Sequence, residues 1–211
     1  MTLVTVSAAY GAGGSRIAPA LAKRLGVPFL GRPPAPELDP VGDEERACDE
    51  SGGSGPGRLL SRVASIALAW GTPAGMELDE LLPDQALRQE IEQEIHDLAA
   101  GGAGVILGRS AFVLLHEDER ALHVLLEGPE EARVRQAMEI EAIDRHTAEK
   151  RLARVDRFRR AYIETLYGVE VHEPGVYDLV VDSTAMPLAD CVELIATAAA
   201  LRTTRLKHRS Q

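Results

Sequence analysis

Residue types that do chemistry gather at three places in this chain. The first is Ala8-Ala9-Tyr10-Gly11-Ala12-Gly13-Gly14-Ser15-Arg16, a glycine-rich turn between a strand-like and a helix-like stretch. Glycines let successive backbone N–H groups converge on an anion, and a helix start adds partial positive charge. Laid over the phosphate-loop pattern G-x-x-x-x-G-K-[ST], Ala8 takes the first glycine, Gly13 the second, Gly14 the lysine and Ser15 the hydroxyl. That lysine ordinarily reaches the β- and γ-phosphates, and Arg16 is a candidate for the missing charge. The plainer alternatives are a simple strand–turn–helix connection and a solvated Arg16.

The second place is Gly108-Arg109-Ser110, which ends the apolar run Val105-Ile106-Leu107. Parallel sheets bind ligands beyond the carboxyl ends of their strands, so Arg109 there is a candidate anion ligand. Its alternative is a surface arginine starting a helix. The third place is Arg151, Arg154, Arg157, Arg159 and Arg160, packed into roughly three helical turns. Helical spacing puts Arg151, Arg154 and Arg157 on one broad face and turns Arg159 and Arg160 elsewhere. Like charges this close repel, so acids or bound phosphates must offset them. A solvated helix paired with Glu139, Glu141, Glu149 or Glu164 satisfies that, and so does phosphoryl transfer, where arginines stabilise charge on the transferring group. A glycine loop in the same chain favours phosphoryl transfer.

Elements of alternating type position these groups. Strands are expected near 2–7, 27–30, 104–107, 121–126 and 177–182. Between them run helices: one carrying Ile17, Leu21 and Leu25 and stopped by Gly26; one from Arg58 to Trp70; one capped by Asp84 with Leu87, Ile91, Ile95 and Leu98 on a face closed by Gly101-Gly102; one opened by Pro129 in its first turn; one capped by Thr147 and running to about Gly168; and a closing helix over 187–203. The alternation predicts a parallel sheet covered on both faces. Residues 31–57, rich in proline, glycine and acids, read as loop, and so do 71–83.

Composition narrows the class. With 211 residues the chain suits one α/β domain with a small insertion. A formal net charge of −10 speaks against general nucleic-acid binding. No apolar run is long enough to span a membrane, and the N-terminus reads as a strand rather than a signal peptide. Cys48 and Cys191 lack metal-ligand spacing, and two free thiols suit a reducing cytoplasm. The basic tail Arg202, Arg205, Lys207, His208, Arg209 reads as a solvated, partly disordered terminus.

Four motifs then fall in an order that resembles the cytidylate kinase-like group of P-loop nucleoside monophosphate kinases. Tyr10-Gly11-Ala12-Gly13-Gly14 is similar to that group's Y-G-S-G-G loop, which also lacks the lysine. Val105-Ile106-Leu107-Gly108-Arg109-Ser110 resembles its V-I-x-G-R strand end. Asp156-Arg157-Phe158-Arg159-Arg160-Ala161-Tyr162 resembles its D-K-x-R-A-x-Y lid segment, and Tyr177-Asp178-Leu179-Val180-Val181-Asp182-Ser183-Thr184 its terminal Y-D-L-V-I-N-T-S. The likeness spans most of the chain except 31–100. Three departures stand out: Ser110 follows the Gly-Arg pair where cytidylate kinases carry Asp, Ala8-Ala9 replaces Arg-Glu, and Arg16 comes one residue later than the group's arginine.

The resemblance implies a single P-loop kinase-type domain over 1–211, a three-layer sandwich with a five-stranded parallel sheet. Its core is 1–30 and 101–211, with a helical lid at about 144–168 and a variable substrate-binding insertion at 31–100. It implies that Gly11, Ala12, Gly13, Gly14 and Ser15 cradle ATP phosphates beside Arg16, and that Ser15 touches Mg²⁺. Arg109, with Ser110, would hold the acceptor phosphate. Arg151, Arg154 and Arg159 would close over both phosphates, and Asp156 would position them. The implied partners are nucleotide substrates, the implied reaction phosphoryl transfer from ATP to a nucleoside monophosphate, CMP or dCMP foremost. The alternatives are a catalytically degenerate nucleotide-binding regulatory protein and a kinase of another small acceptor.

Overall fold

The computed structural model describes residues 2–31, 85–171 and 175–209. Expectations for the loops at 31–57 and 71–83 (Gly31 aside), the helix at 58–70, the Asp84 cap and Cys48 lie outside the described residues. The elements, in chain order, are β1 (Leu3–Ala8), α1 (Gly14–Leu25), β2 (Phe29–Leu30), α2 (Gln85–Ala100), β3 (Gly104–Leu107), α3 (Ala111–Leu114), β4 (Ala121–Glu127), α4 (Glu130–Glu141), α5 (Arg145–Tyr167), β5 (Leu179–Asp182) and α6 (Leu188–Arg209).

The sheet has five parallel strands in the order β2-β3-β1-β4-β5. Strand β1 lies at its centre because both faces must be covered: Leu3, Val4 and Val6 are all at most 1% exposed. Such near-continuous apolar runs are what a doubly covered parallel strand requires. Leu3 pairs with Gly104 on one side and Ala121 on the other. The chain leaves β1 toward β2 and β3, then crosses to β4 and β5. The topological switch therefore falls at the carboxyl end of β1, where the glycine turn begins.

One face of the sheet packs on α1 and α6, with Ile17, Leu21, Val124 and Ile195 fully buried among them. Each such aliphatic side chain contributes about 1.5–3 kcal/mol. The opposite face packs on α2 and α3 through Ile95, Ile106, Ala111 and Leu115. A third, separate core joins α4 to α5 through Val134, Ala137, Ala148, Leu152 and Val155, and Tyr10 of the glycine turn is buried in it. Sheet plus two helical layers is the three-layer sandwich expected, and the third core ties α5 to the loop after β1.

Some boundaries differ from expectation, for local reasons. Helix α5 is capped by Asp144, not Thr147: the Asp144 carboxylate accepts the Thr147 N–H at 2.9 Å and its hydroxyl at 2.7 Å. Pro129 is the residue before α4 rather than part of its first turn. The closing helix continues to Arg209, so the basic tail is helical over these residues. Its Arg202 is anchored on the Glu119 carbonyl and the Asp178 carboxylate. Cys191 is a free, buried thiol. Among the described residues, no helix is long and apolar enough to cross a membrane.

Candidate nucleotide site

The glycine turn is held by its carbonyls. Ala8 O accepts from Arg159 Nη1 at 2.6 Å, Tyr10 O from Arg133 Nη1 at 2.8 Å, Gly11 O from Gln136 Nε2 at 2.9 Å and Ala12 O from Ser183 Oγ at 2.7 Å. Ala9 O accepts the Ala12 N–H, and Gly13 O accepts the Arg16 and Ile17 N–H groups. Every carbonyl from residue 8 to 13 thus has a donor. The N–H groups divide differently. Ala9 donates to Leu126 O, Tyr10 to Asp156 Oδ1 and Ala12 to Ala9 O. Among the described residues, the N–H groups of Gly11, Gly13, Gly14 and Ser15 have no acceptor. Those four belong to a left-handed pair of glycines, Gly11 at φ +77° and Gly13 at φ +72°, and to the first residues of α1. A loop whose carbonyls are all engaged and whose helix-start N–H groups are free is a nest for an anion.

Two glycines of the turn are required by space. A Cβ on Gly11 would collide with the Arg133 backbone carbonyl, and a Cβ on Gly14 would lie 2.6 Å from the Ala8 Cβ. The position that carries lysine in the standard pattern is therefore closed here. Ser15 and Arg16 are both exposed at the mouth of the turn. The exposed Ser15 hydroxyl suits a hydrated divalent cation beside a phosphate.

Helix α5 brings only part of its arginine cluster to the turn. Arg159 reaches the Ala8 carbonyl, and Arg151 Nη1 donates to Glu141 Oε2 at 2.6 Å. The same oxygen accepts the Tyr10 hydroxyl at 2.9 Å. Arg154 is half-buried, and its Nε has no partner among the described residues. Arg157 and Arg160 face solvent. This corrects the grouping read from helical spacing: Arg159, which the resemblance grouped with Arg151, joins it at the turn and Arg157 does not. Eight residues advance a helix by about 80° beyond whole turns, whereas six leave about 120°.

Electrostatics follow from this placement. Burial lowers the pKa of Arg159, with Asp156 opposing, and burial followed by Arg151 repulsion lowers that of Arg154. Burial also works against charge on Arg151, but Glu141 outweighs it and holds that pKa above the ordinary value. Both lowered groups stay cationic at neutral pH, because arginine starts far above it. Burial, then Glu141, pushes the Tyr10 phenol well up.

Asp156 does not bond to these arginines. Its carboxylate accepts the Tyr10 N–H at 2.8 Å and Arg133 Nη1 at 2.6 Å. Arg133 and Gln136 are not singled out by the sequence, yet they hold the turn. Glu141, weighed there as a partner of the arginine cluster, does pair with Arg151, and Ser183 of the Tyr177–Thr184 motif donates to Ala12 O.

Arg109 lies at the end of β3 with a side chain only 11% exposed. Its Nε donates to Gly31 O at 2.8 Å, its Nη1 to Glu94 of α2. Arg109 and Ser110 are both left-handed, at φ +57° and +54°. Each such non-glycine residue costs on the order of 1–2 kcal/mol, so the turn is held by its surroundings. Ser110 is buried and accepts through its carbonyl from Val113 and Leu114, and no hydrogen bond from its side chain caps α3.

Comparison with known proteins gives the chain a family and a fold. The model of the cytidylate kinase-like family matches residues 3–185. A cytidylate kinase of Methanocaldococcus jannaschii is 25% identical over 130 residues, covering 59% of this chain and 73% of that protein. Among solved structures, an uncharacterized protein from Eubacterium ventriosum matches with a TM-score of 0.65 at 17% identity, over 95% of this chain and 99% of that one. A gluconokinase from Sinorhizobium meliloti matches with a TM-score of 0.57 at 18% identity, over 100% and 98% of the two chains. At such identities these likenesses establish a shared fold.

Proposed function

The chain belongs to the cytidylate kinase-like family, and from that premise we propose that it transfers the γ-phosphoryl group of ATP to a nucleoside monophosphate, CMP or dCMP foremost. The observation that carries the reading is the glycine turn, with every carbonyl from residue 8 to 13 engaged and four N–H groups without an acceptor among the described residues. The N–H groups of Gly11, Gly13, Gly14 and Ser15, with Ala12 between them, cradle the donor phosphates. Arg16 adds charge at the mouth. Ser15 would hold Mg²⁺, which neutralises phosphate charge when bound.

Arg109, with Ser110 beside it, binds the acceptor phosphate, which must displace the Glu94 carboxylate. Arg159 and Arg151 stabilise charge on the group in transfer, and Arg154 joins them as the lid closes. Closing the lid over donor and acceptor excludes water and so protects ATP from hydrolysis. Phosphoryl transfer needs little covalent work from the protein, so positioning and charge are what these residues supply.

The test is CMP- and dCMP-dependent formation of ADP from Mg–ATP, compared with Arg159→Ala. The proposal expects turnover in the unsubstituted chain and a loss of about 100-fold in the variant, with a melting temperature lowered only slightly. Equal losses of activity and stability would make Arg159 a structural residue. A second reading has a specific observation behind it: the closed position at Gly14 excludes the usual lysine. It makes the chain a nucleotide-binding regulatory protein on the same fold, and binding of Mg–ATP with no transfer to any monophosphate would favour it.

A further inference from the structure

The third core of the molecule holds an arrangement that the donor-site reading does not use. Tyr10 is 6% exposed and packs among Val134, Ala137, Leu152 and Val155, on α4 and α5. Both of its backbone polar groups are taken by side chains from those two helices. Asp156 of α5 accepts its N–H, and Arg133 of α4 donates to its carbonyl. The two side chains are joined to each other at 2.6 Å, and Arg133 also donates through Nε to Gly128 O at 3.0 Å. Both are largely buried, with side chains 12% and 23% exposed. A charge-assisted pair this enclosed is short and directional, and breaking one side leaves the other buried without a partner.

We propose that Arg133 and Asp156 are positioning residues for the donor site, a clamp that fixes the peptide groups of Tyr10 and couples the glycine turn to the lid helix. The proposal rests on the donor-site reading for its effect on nucleotides, but not for the clamp itself. Gly11, whose N–H has no acceptor among the described residues, follows Tyr10 directly. Its left-handed conformation is set against the Arg133 backbone, where no Cβ fits. Rotating the Tyr10 peptides would therefore turn the Gly11 N–H out of the nest. Because Asp156 lies on the same helix as Arg151 and Arg159, the clamp couples the phosphate-binding N–H groups to the helix that carries the lid guanidinium groups.

Two measurements on the full chain test this. The first is hydrogen–deuterium exchange of the ligand-free protein, read at residues 9–14, for the unsubstituted chain, Asp156→Asn, Arg133→Lys and the double variant. The second is calorimetric affinity for Mg–ATP in the same four proteins, well below their melting temperatures. The clamp predicts faster exchange at the turn in each single variant and an affinity loss of about 10-fold. The double variant should be little worse than either single one, since the two residues act as a unit. Unchanged exchange at 9–14 overturns the clamp. Faster exchange with unchanged Mg–ATP affinity overturns its positioning role, because a merely structural pair loosens the fold without touching the site. If the unsubstituted chain fails to bind Mg–ATP, the donor-site reading falls and the positioning claim falls with it, whatever the exchange shows.

Discussion

At the scale of single residues, two side-chain environments lead to definite expectations. Gly14 stands where phosphate loops carry lysine, and its Cβ direction is filled by Ala8 and Leu107. Gly14→Lys should therefore not restore a function. It should overpack the turn, lower stability by about 1–3 kcal/mol and weaken Mg–ATP binding, as thermal melting with and without nucleotide would register; a gain in affinity would contradict the geometry. His123 of β4 is 6% exposed, with Nδ1 2.7 Å from Thr5 Oγ1. Burial lowers its pKa, Asp178 opposes and Arg202 adds to the lowering. The unfolded chain takes up this proton near pH 6.5, whereas the folded chain takes it up only at lower pH. Stability from this group is therefore complete above about pH 6.5 and is lost as the pH falls below it. Melting temperatures between pH 8 and 5 should show that decline, and His123→Gln should flatten it.

At the scale of elements, helix α5 depends on its first turn. The Asp144 carboxylate engages both the N–H and the hydroxyl of Thr147. Asp144→Ala should cost about 1 kcal/mol, read as a lower melting temperature, with Mg–ATP affinity unchanged because the cap is remote from the Tyr10 clamp. A large loss of affinity would mean that the whole helix, rather than its Asp156 turn, sets the loop. Most elements could be read in the sequence because apolar runs such as Val105-Ile106-Leu107 and Ala121-Leu122-His123-Val124 declare buried strands by themselves. The place of Arg109 just beyond β3 could be read because it follows such a run. Arg133 was not legible in the same way. It and Arg135 look alike in sequence, but they lie about 160° apart around the helix. Arg135 is 61% exposed, whereas Arg133 is turned to the glycine turn. A faint signal existed, since Arg133 is four residues before the buried Ala137 and so shares its face. Thr147 was mistaken for a cap because two polar residues three apart compete for that role, and only geometry shows which side chain accepts.

At the scale of the whole molecule, the sheet order brings the ends of β1, β3, β4 and β5 to one edge, and the separate core of α4 and α5 closes against the turn at that edge. That arrangement explains how arginines more than a hundred residues away in sequence come to hold the carbonyls of the glycine turn. It also explains why a chain of net charge −10 concentrates guanidinium groups at one site. The account stands on the claim that this turn binds the phosphates of a nucleotide. The direct measurement is a calorimetric titration of the purified chain with Mg–ATP. Saturable binding at one site per chain, weakened in Arg159→Ala, is the predicted result. No binding heat and no nucleotide-dependent rise in melting temperature would contradict the account, leaving the free N–H groups of the turn as a feature of the fold alone.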